Sequence, residues 1–268
     1  MKYWILSVIV IASFFYVDKI EKPINQSVSG KAYYYSKTKM DLGNWGARMS
    51  EAQKKQMASR LKNRLEKTYI LTFNQYESFF KEEKKLDAIG GATDTWGANF
   101  SRGDQYKNLK DSTLIQSQEF YGKRFVVKDK LPKINWVKGN ETKQIGNYLC
   151  FKAVATIPTE TLNWHSFDWN DLTNSSSDEV PMSTIEAWYT LQIPLAHGPA
   201  EFWGLPGLVL EVSTGNTTIL CSEISISTNG LDPIDIPNKG EETSIANYRK
   251  VVKERMESMR NSYSRRRN

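Results

Sequence analysis

Alternation of apolar and polar residues dominates the middle of this chain and predicts β-strands. Short runs of this kind recur between turn residues from position 30 to position 227. Turn signals such as Lys138-Gly139-Asn140 and Thr214-Gly215-Asn216 separate the runs. Close spacing and tight turns favour an antiparallel meander. The predicted strands cover 30–35, 67–73, 76–83, 110–119, 123–127, 134–137, 148–157, 185–191, 207–212 and 217–227.

Two segments show helical spacing instead. Ser50-Glu51-Ala52-Gln53 forms a capping box, which predicts a helix that runs to about Leu65 with Met57 on its apolar face. A second helix is predicted over 244–262, and its apolar stripe requires an apolar partner, most simply a sheet face. The residues of that stripe are Ile245, Tyr248, Val252, Met256 and Met259.

Two stretches interrupt the strand pattern. Residues 87–104 are rich in Gly, Asp and Ser and predict a long loop, and residues 158–182 predict a polar hairpin insertion. We therefore expect a single β-rich domain over 25–262, followed by a basic tail at 263–268.

The N-terminus carries an uncharged apolar run from Tyr3 to Val17, preceded by Lys2. A run of about 15 residues is typical of a secretory signal, since a membrane span needs about 20. No clear pair of small residues precedes Asp18 as a cleavage site. Residues 1–17 are therefore predicted to be a cleaved signal peptide or a retained anchor.

Composition fits a globular protein, with 40% hydrophobic and 25% charged residues. Aromatic residues make up 12% of the chain, which favours strands. Part of the net charge of +6 lies in a C-terminal arginine cluster that is typical of a solvated tail. Aromatic and basic residues do not alternate as they do in nucleic-acid-binding proteins, so no nucleic-acid partner is expected.

Candidate chemistry is sparse. Cys150 and Cys221 both fall in predicted strands, and either a disulfide or two buried thiols fits an exported protein. His165, Asp168 and Asp171 form a weak candidate for a metal site in the polar insertion. His197 is a candidate base or ligand. We identify no nucleophile motif, predict no catalytic residue and no cofactor, and expect a protein that is not an enzyme.

The stretch from Ile193 to Glu211 is apolar and stiff, with three prolines and three glycines. Pro206-Gly207 suits a type II turn. The stretch is interpreted either as a plug for an open end of the sheet or as the rigid lip of a groove. The predicted groove residues are Trp136, Trp188, Tyr189, His197, Phe202, Trp203, Leu205 and Pro206.

Gly204-Leu205-Pro206-Gly207-Leu208-Val209 resembles the signature of the GLPGLI family of Bacteroidota, with Val209 in place of the final isoleucine. The likeness extends over about 130–213. Its further elements are Trp136, Glu141-Thr142-Lys143, Gly146-Asn147-Tyr148-Leu149-Cys150, Lys152-Ala153, Ala187-Trp188-Tyr189-Thr190 and Ile193-Pro194.

The resemblance implies export, a gene that is often encoded near outer-membrane receptors of the TonB-dependent type, and no established enzymatic activity. It also implies a half-barrel similar to LolA and LolB, in which a curved antiparallel sheet wraps over helices. Together with the strand pattern, this predicts an α+β, mainly β fold. We expect the sheet to pack on an N-terminal helix and on a C-terminal amphipathic helix.

The predicted function is that of a non-enzymatic binding or accessory protein in the periplasm or on the periplasmic face of the outer membrane. Its groove would hold an apolar ligand, a peptide or an envelope partner. Membrane contact is expected only through residues 1–17, if they are retained. Two alternatives are a metal-dependent hydrolase that uses His197 or the His165 loop, and a structural subunit that pairs through a sheet edge.

Overall fold

The computed structural model describes residues 28–40, 48–83, 101–167, 179–227 and 233–265. The N-terminal segment 1–17 and the candidate ligands Asp168 and Asp171 lie outside these residues. The described chain forms twelve strands and four helices. The strands are β1 (Ser29–Thr38), β2 (Glu66–Phe73), β3 (Glu77–Glu82), β4 (Gln105–Asn108), β5 (Thr113–Phe120), β6 (Lys123–Lys130), β7 (Val137–Ile145), β8 (Tyr148–Pro158), β9 (Met182–Thr190), β10 (Leu208–Thr214), β11 (Thr217–Ser227) and β12 (Glu241–Thr243). The helices are α1 (Glu51–Arg60), α2 (Lys62–Leu65), α3 (Thr159–Asn163) and α4 (Ile245–Arg265).

All twelve strands belong to one curved, unclosed sheet, in the order β12-β6-β5-β4-β3-β2-β1-β11-β10-β9-β8-β7. Neighbouring strands are antiparallel except for β12, which pairs with β6 in parallel. The predicted class, a mainly β protein with a curved open sheet, is confirmed.

The C-terminal helix packs as its spacing predicts. Tyr248, Val252 and Met256 of α4 are buried against an apolar cluster that includes Phe125 of β6 and Phe120 of β5. The rings of Phe125 and Tyr248 meet edge to face with centroids 5.4 Å apart. Since each large apolar side chain contributes about 1.5–3 kcal/mol when buried, this stripe holds the helix on the sheet.

The N-terminal helix is less buried than the C-terminal one. The capping box is present, because the Ser50 side chain accepts from Gln53 N and the Gln53 side chain accepts from Ser50 N. No residue of α1 is fully buried, and Met57 is half-exposed. The predicted single helix is interrupted at Leu61, so that the short α2 leads directly into β2.

Two sequence predictions are wrong near β7. Of the predicted strand 134–137 only Val137 is in a strand, because β7 begins there, and β7 itself covers the predicted turn Lys138-Gly139-Asn140. The ladder between β7 and β8 shifts register between Lys138 and Thr142, so the glycine lies in a bulge. The chain turns instead at Gly146-Asn147, which separates β7 from β8.

The predicted polar insertion at 158–182 begins as a short helix whose surroundings are partly buried, and its described end at 179–182 is exposed. Helix α3 follows β8 directly, and Leu162 and Trp164 are buried. Trp164 packs edge to face on Tyr248 of α4, with ring centroids 5.8 Å apart. None of the helices in the described part of the chain combines the length and apolar character that crossing a membrane requires.

Candidate functional site

The segment between β9 and β10, residues 191–207, is here called the signature loop. It crosses the concave face of the sheet and forms hydrogen bonds with residues of β4 and of the turn between β2 and β3. The order of the strands places four others between β10 and β4, a gap of about 24 Å in a flat sheet. Nevertheless the loop reaches β4, where Lys107 donates to Gly198 O, and His197 Nε2 lies 2.9 Å from the backbone oxygen of Asn74, in the turn between β2 and β3. The signature loop and the curvature together close this gap.

Lys107 of β4 makes the most buried of these contacts. Its side chain is completely inaccessible, and its Nζ donates to the carbonyl oxygens of Gly198 at 2.7 Å and Ala200 at 2.6 Å. Burial lowers the pKa of Lys107 to about 7, and the negative charge of Glu201 opposes that shift. The loop backbone therefore takes the place of water around this amine.

A chain of buried polar side chains continues from this point. Glu201, only 2% exposed, pairs with Arg102 and accepts from Gln105 Nε2 at 3.3 Å. Gln105 also donates to Gln116 Oε1 at 2.9 Å, and Gln116 donates to Gln118 Oε1 at 3.1 Å. Because a buried charge is tolerated only when it is paired and hydrogen-bonded, this chain of contacts fixes Glu201 in one position.

Several predicted groove residues are interior. His197 and Leu205 are fully buried, and Phe202 is 2% exposed. Burial, followed by the charge of Lys107, lowers the pKa of His197 to about 3, so its ring is neutral at pH 7. The interpretation of these three side chains as an accessible groove is corrected, because they fill the concave face of the sheet. A substrate or metal ion would have no access to His197 in this packing.

Two tryptophans of the predicted groove, Trp136 and Trp203, contact each other. Trp136 Nε1 donates to the backbone oxygen of Trp203 at 2.9 Å, and Trp203 Nε1 donates to Pro132 O at 2.9 Å. Both side chains are half-buried, and Pro206 is exposed. These contacts attach the signature loop to the chain between β6 and β7.

A glycine is needed at position 207 because the backbone packs closely on Thr190, and not because of the predicted type II turn. Such a turn requires a positive φ at the glycine, but in this sequence it is Gly204 that has a φ of 90°. A Cβ atom at Gly207 would lie 1.9 Å from the backbone oxygen of Thr190. The predicted turn is therefore wrong, because the loop end packs directly on β9.

Trp188 and Tyr189 lie on opposite faces of β9 because successive strand residues alternate. The Trp188 ring is covered by Lys143 Nζ, 4.2 Å from its centroid, and its Nε1 donates to Glu186 at 2.9 Å. Tyr189 instead lies near Phe151, with ring centroids 6.1 Å apart. The structure thus separates these two residues, which the predicted groove had placed together.

A cavity of about 310 Å³ lies at one end of the concave face, where β1 ends and β2 and β11 begin. Its apolar wall belongs to the same inward-facing rows that build the core. The residues of that wall are Leu65, Tyr69, Phe80 and Ile219. Nearer the strand ends the lining residues are serine and threonine, so the cavity has both an apolar and a polar part. The hydroxyl-bearing residues are Ser36, Thr38, Ser101 and Thr217.

Three cationic side chains and one histidine complete the described lining of the cavity. Lys67 comes from β2, Arg64 from α2, Arg102 from the segment before β4, and His165 from the segment after α3. Burial, followed by the charge of Arg102, lowers the pKa of His165 to about 3. Arg102 also pairs with Glu201, so the cavity and the signature loop share one residue.

A larger depression of about 400 Å³ has its described lining entirely on α4, between positions 254 and 262. A single helix face encloses nothing, so we assign no site there.

The remaining candidates carry little chemistry. Cys150 and Cys221 are free buried thiols, so the disulfide alternative is not realised; β9 and β10 separate their strands in the sheet. Burial raises the pKa of Cys150 to about 11 and that of Cys221 to about 12, so both stay protonated at neutral pH. Within the described residues, no cluster of three or more His, Cys, Asp or Glu side chains is able to hold a metal ion.

Sequence reasoning missed Arg102, Lys107 and the strand that carries Lys107. Residues up to 104 are predicted as loop and the next strand is placed at 110–119, whereas β4 is short and separate. A usable signal existed in β5, where Gln116 and Gln118 occupy the same inward row as Leu114. Polar residues in an apolar row indicate a polar interior, but they do not identify its charged partner.

Comparison with known families bears on the segment that contains the signature loop. Residues 136–211 match the model of a family described as "Protein of unknown function (Porph_ging)". The resemblance to the GLPGLI family is confirmed. This family is associated with Bacteroidota, and the matched segment runs from Trp136 through the signature loop to Glu211. No curated protein matches the chain.

Comparison with solved structures finds a structure that shares the fold, at a TM-score of 0.50 and low sequence identity. A structure of PNGF-II in space group C2 superposes with a TM-score of 0.50 at 16% identity, over 84% of this chain and 33% of that chain. A second PNGF-II structure, in space group P21, gives a TM-score of 0.47 at 16% identity, over 84% and 32%. LprF from Mycobacterium bovis gives 0.26 at 9% identity, over 80% and 90%. The chain therefore spans about a third of PNGF-II.

Proposed function

We propose that this protein is a binding or accessory protein whose ligand occupies the cavity at the end of the concave face. The observation that carries the proposal is the construction of that cavity. Its walls come from β1, β2, β3, β11 and α2, together with Arg102 and His165. A recess of this size with an apolar wall and convergent polar groups is a candidate ligand site, and here the polar lining residues outnumber the apolar ones.

The signature loop contributes to this function indirectly. Its contacts with Asn74 and Lys107 hold the two sides of the sheet together, and Glu201 fixes Arg102 at the cavity. The loop thus shapes the site without contacting the ligand. The alternative of pairing through a sheet edge is less favoured, because edge strand β7 carries Lys138 and Glu141 and has a bulge, which discourages pairing.

An accessory role and an envelope location belong to the same proposal. The accessory role is supported by PNGF-II, in which this fold corresponds to about a third of the chain. The apolar run from Tyr3 to Val17 supports export to the periplasm, where a TonB-dependent receptor system is a candidate partner. Fractionation of a C-terminally tagged full chain in a Bacteroidota host should recover it with the envelope. Recovery with the cytosol would contradict the location.

The binding role is tested by closing the cavity. Ser36 lines the cavity, whereas Tyr35, its neighbour on β1, faces outward and is 37% exposed. Ligand-observed NMR with a small-molecule library identifies compounds that bind the wild-type full chain. We expect these compounds to lose binding to Ser36→Trp and to keep it with the matched control Tyr35→Trp.

Circular dichroism and the thermal midpoint verify that both variants fold. Compounds that bind Ser36→Trp as well as they bind the control would place the ligand elsewhere and refute this proposal.

A further inference from the structure

We propose that the cavity binds a small organic anion, with its acidic group among Arg102, Lys67 and His165 and its apolar or ring portion against Tyr69. This inference rests on the proposed function and narrows it to a chemical class. The acidic group is a carboxylate, a sulfate or a phosphate ester. All three present oxygen acceptors with negative charge, which arginine and lysine recognise.

The charge of the lining supports an anion. Arg64, Lys67 and Arg102 contribute cationic groups, and none of the described lining residues is acidic. Lys67 is paired with Glu82 at 2.7 Å, but its side chain remains 25% exposed. In a recess that is partly shielded from water, such charges attract an anion more strongly than the same charges do on an open surface.

Arg102 is held in place before any ligand arrives. Its Nη1 contacts Glu201, whose side chain is almost completely buried, while the Arg102 side chain is 18% exposed. A guanidinium has five N–H donors in a rigid plane, so this pairing does not exhaust them. A fixed guanidinium at a cavity wall loses little conformational freedom when it binds a carboxylate or sulfate.

His165 lies in the wall of the cavity with these cationic residues. The residue is about nine-tenths buried, and its Nδ1 has no hydrogen-bond partner among the described residues. This atom is itself buried, so it does not face the cavity, and other buried side-chain atoms such as Trp164 Nε1 and His197 Nδ1 are unpaired as well. His165 therefore contributes to the proposal as a neutral, polar part of the cavity lining.

The apolar wall of the cavity selects the rest of the ligand. Tyr69 stacks on Phe80 with ring centroids 4.7 Å apart and planes 15° apart, and Leu65 and Ile219 extend this apolar wall. A cavity of about 310 Å³ lies at the small end of ligand pockets. A compound with one ring or a short alkyl chain beside its acidic group therefore suits the space better than a bare inorganic anion.

Isothermal titration calorimetry with the full chain tests this inference. The probes are cyclohexanecarboxylate, its neutral counterpart cyclohexanecarboxamide, and inorganic phosphate alone. We expect the carboxylate to bind the wild type at least about tenfold more tightly than the amide does, because charge-assisted hydrogen bonds are the stronger ones. It should also bind more tightly than phosphate.

Two variants remove the positive charge. Lys67→Gln is compared with Lys123→Gln, a matched control in which the replaced strand lysine also pairs with a glutamate at 2.7 Å. Because Arg102→Gln alone would leave Glu201 unpaired, the double variant Arg102→Gln/Glu201→Gln is used as well. Both cavity variants should lose at least about tenfold in carboxylate affinity, and the control should stay within about twofold.

The outcomes separate the inference from the proposed function. Equal affinity for amide and carboxylate, or unchanged affinity in both cavity variants, overturns the anion inference. Equal affinity for phosphate and carboxylate overturns the inference that the apolar wall contributes to binding. Absence of binding by either organic probe also overturns the inference. In each case the library experiment with Ser36→Trp decides independently whether the cavity binds any ligand.

Discussion

The Nζ atom of Lys107 lies 2.7 Å from the carbonyl oxygen of Gly198, and this bond links β4 to the signature loop across the concave face. Ala200 offers a second carbonyl oxygen at 2.6 Å, from a backbone with a φ of 50°. Removing an amine from water is costly, and these acceptors offset that cost. The stiffness of the loop keeps its carbonyl groups where the amine needs them.

Replacing Lys107 with methionine should therefore destabilise the fold strongly. Two buried carbonyl groups would lose their donor, at about 1–3 kcal/mol each, while Glu201 stays paired with Arg102. Urea unfolding measures the change. Lys81→Met, at an exposed position on β3, is the matched control and should change the free energy of unfolding by less than about 0.5 kcal/mol. A loss below about 1 kcal/mol for Lys107→Met would contradict this account.

Arg102 and Glu201 should be strongly coupled. We expect the double replacement by glutamine to destabilise the protein by less than the sum of the two single replacements. The difference, which is the coupling energy, should be about 2 kcal/mol. The reason is that either single variant leaves one charge unpaired beside a buried network. A double-mutant cycle in urea gives the coupling directly. Additive effects would show that the pair is dispensable for the signature loop.

Acid should destabilise the protein before its carboxylates titrate. His165 and His197 have folded pKa values of about 3, below the ordinary 6.5, so between these values the unfolded chain binds protons that the folded chain does not. Stability therefore decreases as the pH falls through this window, by about 1.4 kcal/mol per pH unit for each histidine. We expect a loss of roughly 2 kcal/mol between pH 6 and pH 5 from urea unfolding.

The double variant His165→Asn/His197→Asn provides the control for this slope. Glu77 and Glu186 have pKa values lowered below 4.5 by hydrogen bonds, with Tyr106 and Lys152 respectively the main partners, so they contribute little above pH 5. The double variant should therefore be nearly insensitive to pH in this range, and each single variant should lose half as much as the wild type. A wild-type slope in the double variant would assign the effect to other groups.

The two glycines of the signature should respond differently to alanine. At Gly207 a Cβ atom would lie 1.9 Å from a backbone oxygen that cannot move aside, so Gly207→Ala should cost about 3 kcal/mol or more. Gly204 has a φ of 90° with open space around it, so Gly204→Ala should cost only about 1–2 kcal/mol of backbone strain. Thermal unfolding midpoints compare the two variants. Equal shifts would contradict the close packing at Thr190.

Sequence periodicity was most reliable where one element packs on one surface. The stripe from Ile245 to Met259 predicted α4 and its buried face, because a helix of this kind has a single apolar side. Strand predictions were wrong where the neighbouring strands of the sheet determine the pairing. Strand β7 is exposed along most of its length, so no apolar pattern distinguishes it from a turn.

The candidate site was harder to predict than the fold. His197, Phe202 and Leu205 looked suitable for a groove, because a single sequence does not show which side of a stiff loop is covered. Arg102 and Lys107 gave no local signal, since their partners are about a hundred residues away along the chain. Chemistry that depends on such distant pairs appears only when the strands are assembled.

By itself the sequence determined a mainly β fold, a capped N-terminal helix, an amphipathic C-terminal helix and a stiff signature loop, because these follow from short-range periodicity, capping and the backbone limits of proline and glycine. The tertiary structure decided that the loop fills the concave face and that the cavity lies beside it. That decision depends on the order and curvature of the strands, which bring Lys107 and Glu201 together while leaving Ser36 and Thr217 at an open end. Burial, and with it the charge state of each side chain, follows from this long-range arrangement.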